Sequence, residues 1–163
     1  MPTGMIDTGT EQLLAEVRDG VALITLNRPA ARNALGDTIT PALRRQIRDR
    51  GADPDVRALL ITGAGDAFCA GGDVKAMGQR RAGSPLTRDE KISQLKERQR
   101  TLTGALTGLR KPTVAALPGP AAGAGLAIAL ACDLRIASAN AFVTTGYARV
   151  GLAGDYGIAA LLT

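Results

Sequence analysis

Asp155 is the one charged residue after Arg149, set in the closing stretch "GLAGDYGIAALLT". Apolar surroundings disfavour a charged carboxylate and raise its pKa, which suits a general acid/base. Asp ahead of "YGIAALL" is equally a good helix N-cap, so the residues alone leave both roles open. Nucleophile pairs are scarce. The chain has no His, which removes Ser/His and Cys/His pairs and the common zinc sites. Cys69 and Cys132 lie far apart among small or apolar residues, without metal-ligand spacing, and read as free buried thiols of a reducing cytoplasm. The remaining candidates are two glycine-rich turns. "FCAGGD" follows the run "ALLITG", and "GPAAGAGLA" follows "TVAALP". Glycine permits close backbone approach, and a helix start presents unpaired N–H groups at the positive end of its dipole. Two such turns can aim two amides at one oxygen, although each alone is also an ordinary strand-to-helix connection. "GAGLA" lacks the third glycine and the acidic partner of a dinucleotide fingerprint, and no Gly-Lys-Ser/Thr is present for a Walker loop.

The elements around these turns alternate in type. "LLAEVRDGVALITLNRP" gives two apolar runs around "RDG", a hairpin signal, and the nearly unbroken run Val21 to Leu26 predicts a strand buried on both faces. A helix capped near Asp37 and stopped around Gly51 follows, and "VRALLITG" is the next buried strand. The stretch Met77 to Arg88 is polar and Gly/Pro-punctuated, which predicts a mobile loop. From "DEKISQLKERQRTLTGALTGLR" we read one helix, its apolar residues Ile92, Leu95, Leu102, Leu106 and Leu109 mostly at helical spacing, ended at Lys111 and Pro112. "TVAALPG" is a third buried strand, "AGAGLAIALACD" a small-residue helix and "LRIASANA" a fourth strand. Strands alternating with helices predict a single α/β domain over residues 1–163 with largely parallel pairing, its first twelve residues flexible.

Composition narrows the function classes. At 163 residues and 45% hydrophobic content the chain can bury a sizeable core, while 2% aromatics leaves few platforms for stacking single-stranded nucleic acid. The formal charge is +5, and Arg supplies most of the basic residues. They are densest in "LRRQIRDRG", which reads either as a solvated helix face or as a site for a phosphate-bearing partner. The N-terminus lacks the basic start and apolar core of a signal peptide. The uncharged run from Pro112 to Cys132 is long enough to cross a membrane, but Pro118, Pro120 and three glycines interrupt it. No membrane segment is expected.

"VALITLNRPAARNAL", "VRALLITGAGDAFCAGGDVKAM" and "KPTVAALPGPAAGAGLAIALACDLRIASANAFV", in this order and spacing, resemble the crotonase family, also called the enoyl-CoA hydratase/isomerase family. The resemblance covers roughly residues 15 to 163. It implies an α/β, crotonase-like (ClpP/crotonase) spiral of repeated β-β-α units, truncated before the C-terminal trimerisation helices. It also implies an acyl-CoA or enoyl-CoA substrate whose thioester oxygen lies between two backbone amides, here Gly72 and Ala124. Fixed donors on a developing oxyanion typically contribute about 3 to 4 kcal/mol each. Arg28 and Arg32 fall near the coenzyme A phosphates by the same likeness, Ala34 near the ligand's spine, and Ala70 and Asp73 beside adenine and pantetheine. Asp73 is equally placed to cap a helix. Met77 and Tyr147 are expected to line the acyl pocket, with a packed core tyrosine as the equal alternative for Tyr147. Coenzyme A is part of the substrate, so no separate cofactor and no metal is implied. The family's assembly is a homotrimer or a dimer of trimers.

This chain departs from the family at its acids. Hydratases of the family carry two glutamates, and alignment through "ACD" puts Ala127 at the first position and Tyr147 or a near neighbour at the second. The last Glu in the chain is Glu97. Some branches, including certain enoyl-CoA isomerases and chlorobenzoyl-CoA dehalogenases, carry a working aspartate where "VGLAGDYG" places Asp155. Double-bond isomerisation fits one carboxylate best. The alternatives are an Asp-nucleophile hydrolase or dehalogenase, against which the missing His counts, and an inactive paralogue that only binds CoA or a partner, if Thr163 is the true end. RNA binding has been linked with some of the family, but dispersed charge and few aromatics weigh against it here.

Overall fold

The computed structural model describes residues 4–76 and 86–163. Strands β2 (Leu13–Arg18) and β3 (Val21–Leu26) form the expected hairpin, with Arg18 opposite Val21 and Leu13 opposite Leu26. Asp19 and Gly20 both sit at positive φ, 51° and 79°, the backbone that a two-residue turn needs to match the strand twist. The N-terminal stretch, expected to be flexible, contributes an edge strand β1 (Gly4–Ile6) antiparallel to β2. Next come β4 (Ala58–Gly63), β5 (Thr113–Leu117) and, last in the sheet, β7 (Leu134–Ala137), each parallel to its inner neighbour. The six strands run in the order β1-β2-β3-β4-β5-β7.

β3 and β4 are not buried on both faces as their apolar runs predict. Ala22, Ile24 and Leu26, and Leu59 and Ile61, are fully buried, whereas the alternate residues are only half-covered. Runs of Val, Leu and Ile satisfy a half-buried strand as readily as a buried one, so composition hides the alternation that packing imposes.

From β3 onward, each strand of the main sheet is followed by a short bridge or strand in a second layer and then by a helix or helical turn, which is the repeated unit of the spiral. β3 leads to a bridge at Leu35 and helix α1 (Ile39–Ala52). β4 leads to bridges at Cys69 and Gly72 and a helical start at Val74. β5 leads to β6 (Ala121–Ala122) and α4 (Ala124–Ala131), and β7 leads to β8 (Val143–Thr144). The bridges pair in turn: Leu35 with Gly72, Cys69 with Ala121, and β6 with β8. Successive units are thereby stacked by backbone hydrogen bonds as well as by the sheet.

The helices correct two expectations. α1 starts at Ile39 with Thr38 at its N-cap and runs to Ala52. The single helix read from "DEKISQLKERQRTLTGALTGLR" is two: α2 (Arg88–Arg100), opened by a Thr87–Glu90 capping box, and α3 (Thr103–Thr107). Leu102 and Leu106 are buried, but Ile92 and Leu95 are exposed, and no residue of α2 is buried. Two apolar residues among so many charges do not make a buried stripe, so the chain breaks where the apolar side chains turn inward. Of the loop expected from Met77 to Arg88, residues 77–85 lie outside the described residues, and Arg88 opens α2. No described helix is long and apolar enough to cross a membrane.

The arginine cluster of α1 is engaged internally. Arg44 donates to the Arg98 carbonyl and the Tyr156 hydroxyl, Arg45 to the Thr8 carbonyl, Arg48 to Asp49 and Arg50 to Asp53. Each of these arginines thus has a partner within the chain.

Candidate active site

The loop after β3 is built around one buried amide. Asn33 is fully buried; its Nδ2 donates to the carbonyls of Ala64 and Ala67 at 3.0 and 2.8 Å, and its Oδ1 accepts from the Arg28 amide at 2.8 Å. Three bonds in a dry site lock this loop to the turn after β4. Arg28 adds a second tie. Its guanidinium donates to the Ala34 carbonyl at 2.5 Å and to the Asp73 carboxylate at 3.1 Å, while the Ala70 amide donates to the Arg32 carbonyl at 2.9 Å. Arg28, Arg32, Ala34, Ala70 and Asp73, widely separated in sequence, thus form one patch. Within it Arg28 is engaged with Asp73, whereas the Arg32 side chain is exposed and forms no ion pair among the described residues. Asp73 acts as the helix cap the sequence allowed: one oxygen accepts from the Ala76 amide at 3.2 Å, and the other meets Arg28. The cap bond first, and Arg28 second, hold its carboxyl below the usual range.

The two glycine turns converge. Gly71 sits at φ +90°, and a Cβ there would lie 2.8 Å from the Ala122 carbonyl oxygen and 3.4 Å from the Ala124 amide nitrogen. Gly125, in the first turn of α4, passes so close to the other turn that a Cβ would meet the Cys69 carbonyl oxygen at 2.4 Å. Only residues without side chains let the two backbones approach so far. Gly72 and Ala124 follow directly: Gly72 is exposed beside its bridge to Leu35, and Ala124 opens α4 behind Gly123, which provides no side-chain cap. Among the described residues neither amide donates to another protein group. Two unpaired amides on adjoining turns, one at a helix start, suit an anionic oxygen.

Asp155 is not a helix cap. Gly157 holds the N-cap of the short helix α5 (Ile158–Leu161), and the Asp155 side chain instead accepts a 2.6 Å hydrogen bond from the Tyr147 hydroxyl. Burial raises the Asp155 pKa, and the Tyr147 bond pulls it partly back. Burial, and then the neighbouring carboxylate, push the Tyr147 phenol upward, so it stays protonated as the donor. The Tyr147 ring packs 3.7 Å from where a Cβ of Gly123 would stand, next to the start of α4. Ala127 is fully buried in a small apolar cluster with Leu126 and Ile158, against which Tyr147 and Tyr156 pack. Tyr156, beside the acid, takes φ +52°, a left-handed backbone that costs a bulky residue about 1–3 kcal/mol. Its carbonyl and hydroxyl are held by Thr103 and Arg44.

Other candidates are inert or lie elsewhere. Cys69 and Cys132 are free, buried thiols, and burial pushes each up to about 12, far from a thiolate at neutral pH. Among the described residues no three metal-ligating side chains cluster. Met77 lies outside the described residues. Sequence reasoning missed Asn33, whose one local signal is an asparagine at a left-handed position, and missed that Tyr147 and Asp155 pair.

A spiral of strand, bridge and helix that brings two glycine turns together is the crotonase fold. Among solved structures, an enoyl-CoA hydratase from Polaromonas sp. JS666 superposes with a TM-score of 0.82 at 34% identity, over 93% of this chain and 57% of that one. Residues 16–163 match the enoyl-CoA hydratase/isomerase family, to which the chain belongs. It is 40% identical over 142 residues to a Mycobacterium tuberculosis protein named "Probable enoyl-CoA hydratase", covering 87% of this chain and 53% of the relative. It is 42% identical over 148 residues to the (E)-benzylidenesuccinyl-CoA hydratase of Thauera aromatica, covering 90% and 55%. The chain spans about half the length of these relatives, whose names mostly say hydratase.

Proposed function

We propose that this chain carries the thioester-binding half of an acyl-CoA enzyme that moves a double bond. The thioester oxygen accepts from the Gly72 and Ala124 amides. Asp155, as carboxylate, takes the proton at C2 of a 3-enoyl-CoA, and the electron pair passes into a dienolate whose oxygen charge those two amides stabilise. The protonated Asp155 then returns the same proton to C4, giving the conjugated 2-enoyl-CoA and restoring the carboxylate. No water and no second acid is needed.

One observation carries the choice of isomerisation over hydration. Where hydratases of the family place their first glutamate, Ala127 is fully buried among apolar side chains, which leaves Asp155 as the carboxylate beside α4. Hydration has to deprotonate a water and protonate C2, which suits a pair of acids rather than one. Arg32, exposed at the edge of the loop patch, is suited to a coenzyme A phosphate, with Arg28 holding the patch together. The homotrimer or dimer of trimers belongs to the same proposal. Exposed apolar residues on and after β7, Leu134, Ile136, Phe142 and Val143, supply surface for such packing.

The test is to give the protein a 3-enoyl-CoA and a 2-enoyl-CoA and follow products by mass. The expected product from the first is its conjugated isomer, with no 3-hydroxyacyl-CoA from the second, and Asp155→Asn lowers turnover by about 10²- to 10⁴-fold. Hydration at a comparable rate, or full isomerase turnover in Asp155→Asn, refutes the reading.

A further inference from the structure

We propose that Tyr147 is a positioning residue for Asp155: its hydroxyl holds one carboxylate oxygen beside the start of α4 and leaves the other to exchange the substrate proton. This rests on the reading of Asp155 as the acid/base. The geometry supplies the argument. The phenol-to-carboxylate distance is 2.6 Å, within the range of a short charge-assisted bond. The ring that delivers the hydroxyl is itself fixed: its carbons stand 3.7 Å from a Cβ position on Gly123 and 3.8 Å from one on Gly154. Gly123 immediately precedes Ala124, so a single side chain connects the acid to the helix start that presents an oxyanion donor.

The backbone between the two residues is shaped to make this meeting. Gly146 and Gly151, both left-handed, bracket a 3-10 turn over Tyr147–Val150, and the Leu152 amide returns to the Tyr147 carbonyl at 3.0 Å. Asp155 is thereby brought back under the ring eight residues later. Its surroundings contain few charges to compete. α4 and α5, which pack against the pair, carry no titratable side chain. Tyr156 is the other nearby titratable group, with Arg44 and Arg98 acting on it, and Arg149 is exposed in the same 3-10 turn. In a site this apolar, a neutral donor that keeps its proton favours the ionised acid without adding charge.

The test separates this role from general packing. Asp155 is titrated by carboxyl-carbon NMR in the wild-type protein and in Tyr147→Phe, which removes one oxygen and keeps the ring. Losing the donor disfavours the charged form, so the Asp155 midpoint moves to higher pH in Tyr147→Phe. The acid limb of kcat/KM follows it, with activity on that limb falling about tenfold for a midpoint displaced by one pH unit and the high-pH plateau less affected. An unmoved midpoint overturns the proposal. Fluorotyrosine labelling of the wild-type protein provides a readout without substitution: the Tyr147 fluorine signal titrates with the Asp155 midpoint, and a signal blind to that ionisation also overturns it. Neither NMR measurement depends on turnover, so active Asp155→Asn sinks the catalytic reading while leaving the pairing itself to these titrations.

Discussion

Replacing Gly125 with alanine sets two effects of opposite sign against each other at one atom. In an isolated helix the change is favourable, because alanine exceeds glycine by about 0.8–1.0 kcal/mol in a helix interior. In this fold the new Cβ would stand 2.4 Å from the Cys69 carbonyl oxygen and 2.6 Å from the Cys69 Cβ. Neither neighbour can swing aside: one is backbone, and the other is anchored to it in a fully buried residue. Relief requires α4 and the "FCAGGD" turn to separate by several tenths of an ångström, and overpacking of this kind typically costs about 1–3 kcal/mol. Because the obstruction is backbone, the upper part of that range applies, and the net expectation is a loss of about 1–2 kcal/mol. For a chain of this size that lowers Tm by about 2–8 °C, and the urea midpoint falls with an unchanged slope. The same displacement parts the turns that carry Gly72 and Ala124, so on the proposed reading the binding of an acyl-CoA weakens as well. Urea denaturation alongside acyl-CoA titration checks both. A rise in Tm for Gly125→Ala would mean that helix propensity wins and that the two turns are not in the contact described, and the argument for convergent amides would go with it.

Asn33→Ala leaves the Ala64 and Ala67 carbonyls and the Arg28 amide without their buried partner, and is expected to destabilise the fold by about 2–3 kcal/mol in urea. Asp155→Asn is expected to stabilise the protein at neutral pH while lowering its activity. The Asp155 pKa is raised above its ordinary value of 3.8, so the folded state binds the proton more tightly than the unfolded chain. Its contribution is therefore fully present below 3.8 and lost as pH rises through the folded pKa. The advantage of Asp155→Asn in urea should vanish on acidification below 3.8, and a difference independent of pH counts against the assignment.

Much of the fold was legible because its signals are local. Asp19-Gly20 specifies a tight hairpin through its backbone preference, and the apolar runs of β3, β4 and β5 mark strands in any context. The glycine turns were legible for a similar reason, since a left-handed φ at Gly71 and a closely approached Gly125 exclude side chains. Composition alone showed that there is no His, and residue order showed which acids are missing, with no Glu after position 97.

The tertiary structure decided how distant groups divide their partners. Arg28 is a phosphate candidate by sequence, but Asp73, 45 positions later, engages it, which leaves Arg32 exposed. One helical pattern became α2 and α3 because Leu102 and Leu106 are buried in the core while Ile92 and Leu95 stay exposed. Asp155 read equally as a cap or an acid, since both need only a carboxylate ahead of a helix. The choice rested on which donor reached it first, Tyr147 or a helix amide, and that depends on an irregular loop whose path is set by packing on α4. Periodicity and turn chemistry encode each segment's conformation; the distance between side chains on different segments exists only after the segments have docked.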